Sequence, residues 1–123
     1  MAKGRTTEVV RAYYDSWMGG IDTFDEARLR GLLAPDLHFE GPIAGKRTEA
    51  EPFLRGLANF VGVMRGIRML HQVYDEDEAA VLYDAELPGG MVRFAEFFRV
   101  EGDRIRSLVL HYDAGEYRAR GGR

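Results

Sequence analysis

A chain of 123 residues with a net charge of −3 at pH 7 has room for one domain with a single core. At 46% hydrophobic and 30% charged it has a globular composition, and no block of like charge marks it for nucleic acid or an anionic membrane surface. It contains no cysteine, which excludes disulfides, thiolate zinc sites and a cysteine nucleophile.

The first residues, Met1 to Glu8, lack the apolar core of a secretory signal, and no apolar run reaches bilayer-spanning length, so a cytoplasmic protein is expected. Val9, Val10, Tyr13, Tyr14 and Trp17 recur at helical spacing and predict a first helix from about Thr7 to Met18, stopped by Gly19-Gly20. Thr23 to Glu26 has the form of a capping box for a second helix through Leu32 and Leu33, which Pro35 ends. A short strand, Leu37 to Glu40, runs into the Gly41-Pro42 break, and Gly45 to Arg47 read as loop. A second capping pattern, Thr48 to Glu51, opens a third helix carrying Phe53, Leu54, Leu57, Phe60 and Val61 on one face.

After Gly66 the texture changes to strands, near 67–74, 79–87, 92–100 and 104–112, separated by short polar or glycine turns. The expected architecture is α+β: three N-terminal helices covering one face of a bent, mainly antiparallel sheet, an arrangement that can hold a pocket between sheet and helices. Residues 1–113 would form this one domain, and 114–123, rich in Gly and Arg, a flexible tail.

Glu96 stands out within this pattern. Alternate residues of a strand share a face, so Phe94, Glu96 and Phe98 point one way while Arg93, Ala95, Phe97 and Arg99 point the other. A carboxylate on the apolar side must be paired, protonated or wetted. Two readings follow: an ion pair with Arg106 on the next strand, or a neutral acid with a raised pKa, able to donate a hydrogen bond or exchange a proton.

Tyr13 and Tyr14 project about 100° apart around a helix, so one of them is expected to line a cavity and the other to pack in the core. Trp17 suits either choice. His38 is a candidate proton carrier if its short strand twists inward. Asp84, sharing parity with Glu86, is expected to face solvent. Leu110 or His111 enters the core near Phe94, depending on the parity of the Glu101–Asp103 turn. The three histidines, His38, His71 and His111, lack ligand spacing, so neither a metal nor another cofactor is expected.

The chain resembles the SnoaL-like branch of the nuclear-transport-factor-2-like superfamily. The likeness rests on Arg11–Trp17 with Gly20 and Asp22, on Leu32–Pro42 ahead of Gly45-Lys46, and on Phe97–Ile105 closing at His111-Tyr112-Asp113. It implies the cone fold and a small, largely apolar organic ligand, with isomerase, cyclase or hydrolase chemistry, or a non-catalytic binding or dimerisation module, as the range of functions. It further implies that Tyr13, or Tyr14 one step away, is a hydrogen-bond donor to the ligand, and that Glu96 takes the place of the family's late-strand acid. Trp17, Phe39, Phe60, Phe94, Phe98, Leu110 and Tyr112 are the expected walls. Two positions depart from the pattern: Gly41 stands where isomerase-like members carry their base, and Leu110 where cyclase-like and epoxide-hydrolase-like members carry an aspartate. A homodimer through the outer sheet face, with Phe97 exposed, is expected on the same basis.

Overall fold

A computed structural model describes residues 2–122. Helix α1, Ala2–Asp15, is followed by a 3-10 turn at Ile21–Thr23 and by α2, Glu26–Leu32. The cap of α2 is Asp25, whose side chain accepts from the Arg28 N–H, rather than the Thr23 read from sequence. Strand β1 spans Leu33–Gly41 and pairs with β2, Gly45–Arg47, a segment whose glycine-led sequence predicts a loop. Pro35 therefore lies inside β1 rather than ending a helix. The β1–β6 pairing shifts between Leu33 and His38, and that irregularity accommodates a residue with no N–H to donate.

Helix α3, Ala50–Val63, buries Phe53, Leu54, Leu57, Phe60 and Val61, the face predicted from its spacing. Its N-cap residue is Glu49, without a side-chain cap bond. Then β3 (Gly66–Tyr74), β4 (Glu78–Leu87), β5 (Gly90–Glu101) and β6 (Arg104–His111) form the antiparallel meander anticipated from the turn spacing. The sheet is curved and unclosed, in the order β2-β1-β6-β5-β4-β3, with β1 parallel to β6. The fold is α+β, with helices covering one sheet face.

Burial alternates strictly along β4 and β5. Ala79, Val81, Tyr83 and Ala85 face inward on β4, and Val92, Phe94, Glu96, Phe98 and Val100 do so on β5. Burying each large apolar side chain contributes about 1.5–3 kcal/mol, so this single face dominates the stability of the sheet. No helix among the described residues is long and apolar enough to cross a membrane.

The segment expected to fray instead forms a short helix, α4, Ala114–Ala119, capped by the Asp113 side chain accepting from the Glu116 N–H. Contacts at Tyr117 and at Arg120 anchor it. Tyr117 is buried against Tyr112, Phe94 and Phe60. The backbone after the helix lies on the β4–β5 turn, where the Gly89 N–H donates to the Arg120 carbonyl at 2.9 Å. A Cβ at Gly89 would stand 2.9 Å from Arg120 Cα, so only glycine permits this approach.

Candidate active site

Glu96 occupies the centre of β5, between Val81 of β4 and Leu110 of β6, and is 2% exposed. Among the described residues it has no arginine partner: Arg106 pairs instead with Asp36 and Glu101 at the surface. Its carboxyl group is held by α1. The Tyr14 hydroxyl donates to Glu96 Oε1 at 2.7 Å, and the Tyr13 hydroxyl to Oε2 at 3.2 Å.

Adjacent residues on a helix reach one carboxyl group because each phenol is long and the two rings splay around it. The rings sit edge-to-face, with centroids 4.9 Å apart at 76°, and both flank Phe98 one inward position along β5. Tyr13 lines the cavity wall and Tyr14 does not. Both nevertheless serve the same acid.

Burial disfavours the charged carboxylate and pushes the pKa of Glu96 up to about 7, against the opposing effect of hydrogen bonds from Tyr14, Tyr83 and Tyr13. Burial, and secondarily the charge of Glu96, drives the phenols of Tyr13, Tyr14 and Tyr83 well above their ordinary range. The three tyrosines thus remain protonated donors around a carboxyl group that titrates near neutrality.

Glu96 opens onto a cavity of about 170 Å³ between the sheet and α3. Phe39, Phe60, Phe94, Leu110 and Tyr112 line it. Trp17 and Phe98 do not: both are buried in the packing around Tyr13 and Tyr14. The indole N–H of Trp17 is buried without a hydrogen-bond partner. His38 is exposed on the opposite side of β1 from Phe39 and takes no part in the cavity, because the strand does not twist it inward. Asp84 lies on the outer face of β4, ion-paired with Arg93.

The lining residues that the sequence did not mark are Pro52, Phe53, Gly56 and Leu57 of α3, Ile43 and Ala44 between β1 and β2, Tyr83, and Tyr117. For Tyr83 the signal was present, since it shares parity with Val81 and opposes Asp84 and Glu86. For Tyr117 the signal was the Asp113–Glu116 spacing of a helix start, obscured by the surrounding glycines and arginines. Among the described residues, no group of His, Asp and Glu side chains is arranged to hold a metal ion.

The ambiguity between Leu110 and His111 is resolved by a bulge. Arg99 pairs with Ser107 but Val100 with Ile105, so Arg106 is an extra residue on β6. Ile105 and Leu108 are both buried, and Leu110 then faces the cavity opposite Glu96 while His111 pairs with Ala95 outside.

No curated protein sequence matches the chain. Several solved structures do. One is a protein from Kribbella flavida DSM 17836, 24% identical with a TM-score of 0.82 over 92% of this chain and 90% of that one. A putative ketosteroid isomerase from the same organism is 20% identical with a TM-score of 0.78 over 90% of this chain and 79% of that one. A putative SnoaL-like polyketide cyclase from Jannaschia sp. CCS1 is 12% identical with a TM-score of 0.79 over 96% and 92%. Such identities establish a shared fold. Residues 10–108, most of the chain, match the model of the SnoaL-like domain, and the chain belongs to that family.

Proposed function

We propose that this protein binds a small, largely apolar organic molecule in the cavity and acts on it by proton transfer through Glu96. The observation that carries this reading is the Glu96 carboxyl group held between Tyr13 and Tyr14 at the wall of an apolar cavity. A carboxyl with a pKa of about 7 is half ionised at neutral pH, so it can accept a proton from a carbon acid and return it. Tyr13, which lines the cavity, is the donor placed to meet an oxyanion developing on the ligand. Tyr14 lies behind the carboxyl group and is a positioning residue. With Gly41 and Leu110 at the two family base positions, Glu96 has to serve as both acid and base. Isomerisation, a proton leaving one carbon and returning to another, is the chemistry one such group supports best.

Conversion of 3-cyclohexen-1-one to its conjugated isomer, followed by ultraviolet absorbance, tests the reading with a substrate of suitable size. Turnover above the buffer rate is expected, with a fall of about 100-fold in Glu96→Gln. Equal rates in both proteins, with circular dichroism confirming that the variant is folded, would overturn it.

The absence of an acid at Gly41 and Leu110 favours a second reading, a non-catalytic binding or dimerisation module. Phe97, 48% exposed on the outer sheet face, supports pairing of two copies through that face, with Ala95 and Val109 beside it. Light scattering at micromolar concentration is expected to give the mass of a dimer, and a monomer would remove this part of the proposal.

A further inference from the structure

Among the described residues, eight of the fifteen that line the cavity are aromatic, and the one that carries charge near neutral pH is Glu96. Among the described residues, no arginine, lysine or histidine lines it. The faces of aromatic rings are electron-rich and attract cations, and they add to the field of a carboxylate rather than opposing it. An anionic ligand would meet the same carboxylate with no counter-charge. The cavity is therefore selective by sign.

Glu96 also has unused acceptor capacity. A carboxylate offers about four lone-pair directions, and the hydroxyls of Tyr13, Tyr14 and Tyr83 take three of them. Because the group opens onto the cavity, a ligand N–H can take another. Size limits the rest of the ligand. A dry cavity of about 150 Å³ accommodates benzene, so the 170 Å³ here suits a body of one ring and a short side arm.

We propose that the ligand is a protonated amine carried on an apolar body no larger than one ring, its nitrogen facing Glu96 and its body against the aromatic wall. This rests on the reading of the cavity as a ligand site, and it adds the ligand class. Binding of an ammonium group requires the ionised carboxylate. The groups facing that carboxyl from the neighbouring elements are Tyr13 and Tyr14 of α1, Tyr83 of β4 and the apolar Leu110 of β6. All three phenols stay neutral, so Glu96 alone sets the pH dependence, through its pKa of about 7. Affinity for the amine rises as Glu96 ionises and falls in acid, while a neutral ligand of the same shape is indifferent to this pH change.

Protein-observed NMR titration with benzylamine, benzyl alcohol, benzoate and toluene tests the assignment. Alkylamines remain protonated at about pH 8, so benzylamine enters as the cation. It is expected to bind about tenfold or more tightly than benzyl alcohol there, a difference that disappears near pH 5.5 and in Glu96→Gln. The pH comparison uses the unaltered protein and stands even if that variant fails to fold. Benzyl alcohol or toluene binding as tightly as benzylamine, or benzoate binding best, would overturn the amine while leaving the cavity as a ligand site. If none of the four probes shifts the resonances of Tyr13, Phe60 or Tyr112, the ligand-site reading falls, and the amine with it.

Discussion

The Tyr14 hydroxyl donates to Glu96 Oε1 at 2.7 Å, tying the C-terminal end of α1 to the centre of β5 across 82 residues of chain. This bond favours the ionised carboxyl group, because a phenol donates better to a carboxylate than to a neutral acid. Tyr14→Phe should therefore raise the pKa of Glu96 above about 7. Tyr13→Phe should raise it less, since its bond is longer at 3.2 Å. Losing the Tyr14 bond should cost about 1–3 kcal/mol at pH 8, where the carboxylate is left short of a donor. Carbon-detected titration of the Glu96 carboxyl group, alongside denaturant melts, measures both effects.

The pH dependence of stability offers a second check. Glu96 has an ordinary carboxyl pKa in the unfolded chain and one of about 7 when folded, so between these values the folded state holds the extra proton. Stability should fall as pH rises through that window and level off above it, by about 3 kcal/mol in all. Asp36, Glu51 and Asp84 act oppositely. Hydrogen bonds from Arg106, Arg30 and Arg93 hold their pKa values down, and their contribution is lost in acid. These three are largely solvent-screened and remain in Glu96→Gln, so the difference between the two proteins isolates Glu96. A constant difference from pH 4 to 8 would mean that the buried carboxyl group does not titrate as described.

Helix α4 should behave as part of the domain. Tyr117→Ala is expected to cost about 3 kcal/mol, as for other large aromatic truncations in a core, and to enlarge the cavity at that end. Truncation after Asp113 should lower the melting temperature at least as much. Thermal denaturation by circular dichroism would reveal a dispensable tail as an unchanged midpoint.

Gly41 makes a further prediction possible. A Cβ at this position would stand 3.1 Å from Phe39 Cζ, so the ring of Phe39 occupies the space a side chain would need. Gly41→Asp should therefore destabilise the protein by about 1 kcal/mol, an overpacking cost. That penalty should shrink when combined with Phe39→Ala, and a double-mutant cycle measures the coupling. Strict additivity would show that Phe39 is not what keeps this position empty.

Legibility from sequence followed the strength of the local signal. The inward parity of Phe94, Glu96 and Phe98 was plain because β5 alternates without interruption, and side-chain direction in a regular strand depends only on position. The apolar face of α3 was equally readable. His38, by contrast, drew attention for its chemistry although Phe39, its neighbour, was already the better candidate for the inner face. The β2 strand escaped notice because three exposed residues, Gly45 to Arg47, carry no pattern of their own.

By itself the sequence determined the order of elements, the sheet's inner face and the presence of an acid on it, since periodicity and chain breaks are local properties. Only the tertiary structure decided what surrounds that acid. The bulge at Arg106 turns Leu110 inward and His111 outward, and the docking of α1 brings Tyr13 and Tyr14 to one carboxyl group. The anchoring of α4 adds Tyr117 to the wall. Each of these depends on contacts between segments far apart in the chain. Their energies are set by register and packing, which no window of neighbouring residues contains.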